Sequence, residues 1–191
     1  MKEHLFNKRL TVLFGSPHRD GNTGKLLDVF LSALPKELAV DIADVYKWNL
    51  APCTDCGFCK TNNGCVLSDF PLLDKVIQES DYLAVATPVY NFSVPAPLKA
   101  VLDRTQCYYN ARFCRGIRPP VVRHKKAVLL LTAGKPDSLG TEIVEKQFKA
   151  AFTILNAELI ASVRSLGTDE KPPGQNSFEQ AKKAAKRLLL L

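Results

Sequence analysis

Leu10-Thr11-Val12-Leu13-Phe14-Gly15-Ser16-Pro17-His18-Arg19-Asp20-Gly21-Asn22-Thr23-Gly24, running on into Lys25-Leu26-Leu27-Asp28-Val29-Phe30-Leu31, is the stretch whose reading decides the fold. A short apolar run of strand formers stops at Gly15-Ser16-Pro17, and a turn of small polar residues follows. Leu26, Leu27, Phe30 and Leu31 then recur at helical spacing. Strand, polar loop and helix bring free backbone N–H groups and a helix N-terminus to one point, an arrangement that binds anions and above all phosphate. A nucleoside triphosphate loop needs Gly-Lys followed by Ser or Thr, whereas Gly24-Lys25 precedes Leu26. A dinucleotide fingerprint needs Gly-x-Gly-x-x-Gly, which this loop lacks. Donors at Ser16, Asn22 and Thr23 suit a monophosphate held without a large cationic cage. The plainer alternative is a surface turn with Thr23 as helix N-cap.

The rest of the chain repeats the alternation. Leu34-Pro35 ends the first helix, Ala39 to Val45 alternates as a second strand, and Asp69 to Glu79 places Leu72, Leu73, Val76 and Ile77 on one helical face. Asp81 to Thr87 is nearly all apolar, as in a parallel strand covered on both faces. A long loop, Pro88 to Pro95, carries Tyr90 and Phe92, and a helix begins at Pro97. Ala127 to Thr132 reads as a fourth buried strand, closed by Ala133-Gly134-Lys135-Pro136. A helix over 138–155, a strand over 158–165, a polar linker to Ser177 and an amphipathic helix from Phe178 to Leu191 complete the order. Residues 106–125 hold no clean periodicity, which marks a functional segment or an interface.

Five strands alternating with helices predict an α/β fold, a doubly wound five-stranded parallel sheet formed as one unit over residues 1–191. A monophosphate loop after the first strand and an aromatic loop after the third describe the flavodoxin-like order 2-1-3-4-5. In that order the ligand crevice lies between those two strands. Phosphate at one loop and a flat ring at the other point to FMN.

Between the second strand and the next helix lies Pro52-Cys53-Thr54-Asp55-Cys56-Gly57-Phe58-Cys59-Lys60-Thr61-Asn62-Asn63-Gly64-Cys65, with four of the six cysteines. Thiolates two residues apart can converge on one metal centre. Zinc sites use Cys-x2-Cys as two separated pairs, so three cysteines in one tight run lean toward iron–sulfur. Cys107 and Cys114 read as ordinary semi-buried thiols.

Apolar residues make up 46% of the chain and charged residues 24%, and no apolar run approaches the ~20 residues that span a bilayer. The start, Met1 to Arg9, lacks the apolar core of a signal peptide, so a cytoplasmic, thiol-reducing setting is expected, one that favours redox use of the cysteines. The net charge of +7 concentrates at Arg112, Arg115, Arg118, Arg123, Lys125 and Lys126 and on the last helix at Lys182, Lys183, Lys186 and Arg187. Neither group carries a nucleic-acid module, and the first suits an acidic redox partner. Of the three histidines, His4 lies at the terminus, His18 in the phosphate loop and His124 in the basic segment, so no hydrolase triad is supported.

Gly15 to Thr23 resembles the phosphate loop of the NAD(P)H-dependent FMN reductase and iron–sulfur flavoprotein families. Thr87-Pro88-Val89-Tyr90 through Leu98-Lys99 and Asp103-Arg104 resembles their second signature. The likeness covers residues 10–135. It implies that Ser16, His18, Asn22 and Thr23 hold the phosphate and ribityl end of FMN. Pro88, Val89, Tyr90, Asn91, Phe92 and Ser93 would frame the isoalloxazine, with Gly134 approaching it. The cysteine loop is similar to the compact motif of the iron–sulfur flavoproteins, implying a [4Fe-4S] cluster on Cys53, Cys56, Cys59 and Cys65. His18 stands where those families carry a base, with Arg19 as substitute, and Ser68-Asp69-Phe70 has one carboxylate where they have two.

Three readings follow. One is an FMN-dependent oxidoreductase that couples flavin to the cluster and exchanges electrons with a ferredoxin-like carrier. The second is a cluster-free reductase that moves electrons from NAD(P)H to FMN, quinones or similar small-molecule acceptors. The third is a non-enzymatic carrier or zinc-bearing domain. No side chain is assigned as catalytic, since the flavin carries the chemistry. A homodimer or homotetramer is expected, with the 106–125 segment and the leucine-rich end covering an interface.

Overall fold

The computed structural model describes residues 7–190. The start of the chain with His4, and Leu191 at its end, therefore lie outside the described residues. Five parallel strands, β1 (Arg9–Phe14), β2 (Ala39–Asp44), β3 (Tyr82–Pro88), β4 (Lys125–Thr132) and β5 (Ala157–Ser165), form one sheet in the order β2-β1-β3-β4-β5. This is the order expected from the loop chemistry. Register runs unbroken from Leu10↔Tyr82 to Phe14↔Ala86 between β1 and β3, and from Tyr82↔Lys126 to Pro88↔Thr132 between β3 and β4.

Alternate residues of each strand feed opposite faces. Leu10, Val12 and Phe14 pack with Val128 and Leu130 under α1 (Asn22–Ser32) and α8 (Gln175–Leu188). Leu13, Leu129 and Leu131 face the other way, under α4 (Phe70–Glu79), α5 (Ala96–Arg104) and α7 (Leu139–Ile154). Burying each such leucine stabilises the fold by about 1.5–3 kcal/mol, which is why a central strand such as β4 tolerates so little polarity. On α8, Ala181, Ala184, Ala185 and Leu188 turn inward, while Lys182, Lys183, Lys186 and Arg187 form its solvated face.

Three short or unexpected helices depart from the sequence reading. The second strand continues directly into α2 (Val45–Trp48), capped by Asp44, whose Oδ1 accepts the Tyr46 N–H at 3.1 Å. The cysteine loop contains a single turn, α3 (Phe58–Thr61). The segment read as aperiodic holds a two-turn helix, α6 (Gln106–Phe113). Lys125, expected on a basic surface, is 1% exposed, with its Nζ donating to the carbonyls of Ser80 at 3.0 Å and Arg123 at 2.9 Å. Arg123 in turn pairs with Asp81 at 3.0 Å. Burial pushes the Lys125 ammonium down, to about 8. Lys125 is therefore a structural part of the sheet and not of an exposed basic surface, whereas the Arg123 side chain stays about half exposed. Among the described residues no helix is long and apolar enough to cross a membrane.

Candidate functional site

The polar loop after β1 remains tied to the sheet, because the Gly15 N–H donates to the Ala86 carbonyl at 2.8 Å. Ser16, buried, accepts the His18 N–H on its hydroxyl at 3.3 Å, which folds the loop back toward the start of α1. Gly21, not Thr23, is the N-cap of α1, and no side chain caps the helix. The first intrahelical bond runs from the Lys25 N–H to the Gly21 carbonyl at 3.0 Å, so the preceding N–H groups point out of the helix end toward a ligand. No acidic residue stands in that first turn to compete. A Cβ on Gly24 would lie 1.6 Å from the Arg19 carbonyl oxygen, so the loop closes over the helix only with glycine there.

Arg19 does not supply the loop's cation. Its guanidinium pairs with Asp28 and lies 5.6 Å from the Phe14 ring centre, which fixes it against the outside of the helix. Thr23 is buried, with its hydroxyl 2.7 Å from that of Thr132 at the end of β4. Asn22 Nδ2 donates to the Thr168 carbonyl at 3.1 Å. Two of the predicted phosphate residues thus also lock the loop to the far side of the sheet edge.

Beyond β3, Tyr90 and Ser93 exchange both backbone hydrogen bonds at 2.9 Å around a two-residue turn, with Asn91 at φ 49° and Phe92 at φ 60°. Both central residues are left-handed, the geometry of a type I′ turn, and an aromatic side chain rarely adopts it. Tyr90 and Phe92 stand half out of the protein on this turn, at 46% and 54% exposure. Behind this hairpin opens a cleft of about 540 Å³. Val89, Tyr90, Asn91 and Phe92 form one wall, Ala133, Gly134 and Lys135 another, and Asp137, Gly140 and Asp169 close it. Its size lies in the range that encloses a small organic cofactor. A Cβ on Gly134 would sit 2.3 Å from an Asp169 carboxylate oxygen, and one on Gly140 would sit 2.9 Å from Val89 Cγ1. Glycine at these two positions lets the Asp169 carboxylate and the Val89 side chain pack directly against the backbone of the cleft.

The four cysteines of the loop line a separate cavity of about 20 Å³ together with Leu67, Gln106 and Asn110. Cys53 and Cys56 are exposed, while Cys59 and Cys65 are half-buried against the core. Asp55, Gly57 and Gly64 have positive φ, which turns the chain around this cavity. Among the described residues no three His, Cys, Asp or Glu side chains stand in a metal-holding arrangement. The donor set is of the kind an iron–sulfur centre takes: four thiols border one space, and Cys53 and Cys56 lie on its exposed side.

The neck of this loop is closed by a buried ion pair. Arg104, 1% exposed, lies 2.8 Å from Asp69 Oδ1 and donates to the Ala51 carbonyl at 2.9 Å, while the Ala51 N–H donates to Asp69 Oδ2 at 2.7 Å. Desolvation pushes the Asp69 carboxyl up, but the Ala51 N–H and the Arg104 guanidinium together outweigh it and hold the group below its ordinary value. The single carboxylate after the last cysteine is therefore structural.

Residues 9–171 match the pattern of the NADPH-dependent FMN reductase family. The chain belongs to that family. Among its relatives, an iron-sulfur flavoprotein of Archaeoglobus fulgidus is 34% identical over 98 residues, 50% of this chain and 44% of the relative. An FMN-dependent NADH:quinone oxidoreductase of Hahella chejuensis is 34% identical over 110 residues, 52% of each chain. The chain spans about half the length of these relatives. An NAD(P)H:quinone oxidoreductase from Methanothermobacter marburgensis superposes with a TM-score of 0.71 over 96% of both chains at 19% identity, which establishes the shared fold.

Of the residues that the sequence singled out, the FMN reductase fold brings Ser16, His18, Asn22 and Thr23 to one loop at the C-terminal edge of the sheet. Val89, Tyr90, Asn91, Phe92 and Gly134 meet in the adjoining cleft. Pro88 ends β3, and Ser93 serves as hairpin partner to Tyr90 without lining the cleft. The reading missed Lys135, Asp137, Gly140 and Asp169 in the cleft, and Thr132 and Thr168 behind the phosphate loop. Ala133-Gly134-Lys135-Pro136, a Gly/Pro break straight after a buried strand, was the available signal for Lys135. Asp169 carried none, since it reads as one more polar linker residue.

Proposed function

We propose that the protein is an FMN-dependent oxidoreductase, a single flavodoxin-like unit, with the flavin's phosphate on the loop after β1 and its ring in the cleft between the 90–93 hairpin and the 133–137 loop. The observation that carries this reading is that the loops after β1, β3 and β4 set an uncapped helix N-terminus and a 540 Å³ cleft walled by two aromatics at one sheet edge. Bound FMN supplies hydride and single-electron transfer. Ser16, His18 and the first N–H groups of α1 hold the phosphate. Asn22 and Thr23 fix the loop. Val89 to Phe92 orient the ring and exclude water from one side, and Gly134 lets backbone approach the other. Cys53, Cys56, Cys59 and Cys65 hold a [4Fe-4S] cluster as a second redox centre, a reading supported by the shared cavity and the relatives named iron-sulfur flavoprotein. NAD(P)H or a ferredoxin-like carrier donates electrons, and a quinone-like small molecule accepts them. The chain works as a homodimer or homotetramer, a reading supported by the exposed aromatic pair Tyr109 and Phe113 on α6, with ring centres 4.5 Å apart.

The cluster-free reductase is the second reading, favoured by the small cysteine cavity and by the relative named as a quinone oxidoreductase. Anaerobic purification with flavin, iron, labile sulfide and zinc assayed on one sample separates the two. Flavin with four iron and four sulfide per chain supports the first reading, and flavin alone supports the second. One zinc per chain supports a zinc site, and a chain that takes up no FMN refutes the cleft assignment. Turnover with NADPH, NADH and reduced ferredoxin then identifies the donor, and sedimentation fixes the oligomeric state.

A further inference from the structure

One face of α6 is built against the sulfur atoms of the cysteine loop. Asn110 is 3% exposed, and its Nδ2 donates to Cys59 Sγ at 3.1 Å. Its Oδ1 lies 3.5 Å from both Gln106 Nε2 and Cys114 Sγ. Two donors on that oxygen fix which way the amide faces, so that N–H and not C=O meets the sulfur. One turn earlier, the Cys107 thiol donates to the Gly64 carbonyl at 3.0 Å and pins the residue before Cys65. Gln106 and Asn110 both line the cysteine cavity. A buried amide needs partners on both ends, and the sulfur of a neutral thiol is a weak acceptor. A thiolate, or a thiolate bound to iron, is a strong one.

We propose that Asn110 is the positioning residue of the cysteine centre: it holds the Cys59 sulfur toward the cavity and, by donating to it, sets the centre's reduction potential. The inference rests on the cluster reading above. A donor to sulfur stabilises the more negative, reduced state of a cluster more than the oxidised state, so the bond raises the potential. Gln106 and Cys114 act through Asn110 by orienting its amide.

The test compares wild type, Asn110→Leu and Asn110→Asp after anaerobic reconstitution with iron and sulfide. Iron and FMN content are measured, and the cluster potential is read by electron paramagnetic resonance during a redox titration. Asn110→Leu removes the donor at similar volume. The reduction equilibrium constant is expected to fall about tenfold, about 59 mV for a one-electron couple, with FMN content unchanged. Asn110→Asp is near-isosteric and keeps the acceptor oxygen, which preserves folding where leucine does not. It places a carboxylate against the sulfur and is expected to shift the potential further the same way. Selective loss of iron from either variant, with flavin and thermal midpoint retained, also supports the proposal. Filled clusters whose potentials match wild type in both variants overturn it while leaving the cluster reading intact. Wild type that takes up neither iron and sulfide nor cobalt(II), the latter read by its thiolate charge-transfer band, removes the four-sulfur reading and this inference with it.

Discussion

Breaking the Asp69–Arg104 pair tests whether the cysteine loop is clamped at its neck. In Asp69→Asn the guanidinium stays buried, at 1% exposure, and loses its counter-charge, while the Ala51 carbonyl bond at 2.9 Å survives. Removing one partner of a buried pair costs about 3–5 kcal/mol, and the 24% exposure of the Asp69 side chain discounts this to about 2–3 kcal/mol. Arg104→Met should cost less, about 1–2 kcal/mol. Its Nε and Nη2 lack partners among the described residues, so methionine also relieves two buried unpaired donors. Asp69 then keeps the Ala51 N–H. The double variant should be destabilised by less than the sum of the two, with a coupling of about 1–3 kcal/mol. Urea unfolding at unchanged m-value measures all three, and limited proteolysis within 53–65 should quicken in each. Additive effects, or an Asp69→Asn cost under about 0.5 kcal/mol, would refute the clamp. The acid limb gives an independent check. Because Asp69 is held below its unfolded value of 3.8, its contribution is complete above that pH and is lost as pH falls through the folded value. Asp69→Asn should flatten the stability profile only in that window.

Phe92→Gly removes a residue held at φ 60° and should leave stability unchanged or raise it by up to about 1 kcal/mol. The same change strips one aromatic wall from the cleft, so FMN affinity, read by flavin fluorescence quenching, should fall about tenfold. Gly134→Val drives side-chain carbons into Asp169 and the cleft, so co-purified FMN should be lost while the thermal midpoint moves little. Cys107 should resist iodoacetamide. Burial first, then the neighbouring Cys59 and Cys65, push its thiol up to about 12, leaving about one part in ten thousand as thiolate at pH 8. Mass spectrometry of the metal-free chain should show the exposed Cys53, Cys56 and Cys114 alkylated first. Equal labelling of Cys107 would contradict its placement.

The sheet was legible because buried parallel strands announce themselves as unbroken apolar runs, as in Leu83 to Ala86 and Ala127 to Leu131, and because a break follows each at the same edge, bounded by Pro88 and Pro95 after the first and carrying Gly134 and Pro136 after the second. The phosphate loop and aromatic hairpin were legible for the second reason. The 106–113 helix was not, because its buried face is Cys107, Tyr108, Asn110 and Ala111. An asparagine on a core face breaks hydrophobic periodicity, and its partner is a sulfur 51 residues upstream. Lys125 misled for the same reason. Its charge reads as surface, and the Ser80 carbonyl that receives it lies 45 residues away. Asp169 belongs to the cleft only because the linker after β5 folds back, with its N–H donating to the Gly134 carbonyl at 3.2 Å. Charged or polar residues satisfied by remote partners leave no local signature.

The same long-range wiring ties the two candidate centres together. Helix α5 begins after the 90–93 hairpin, with Pro95 as its N-cap, and ends at Arg104, which closes the neck of the cysteine loop. At 1.5 Å per residue its nine residues span about 13 Å. Its buried side, Leu98, Ala100, Val101 and Arg104, allows little sliding against the sheet. Leu98 also fills the space above Gly15, where a Cβ would meet Leu98 Cδ2 at 2.5 Å, so the phosphate loop leans on this helix as well. One short rod therefore touches the phosphate loop, the aromatic hairpin and the cysteine neck, and Thr105 carries it straight into α6 and Asn110. Flavin cleft and cysteine cavity are separate spaces, but they are not independent modules. A change that tilts α5 should move both, whereas Asn110, six residues beyond its end, lines the cysteine cavity and not the cleft.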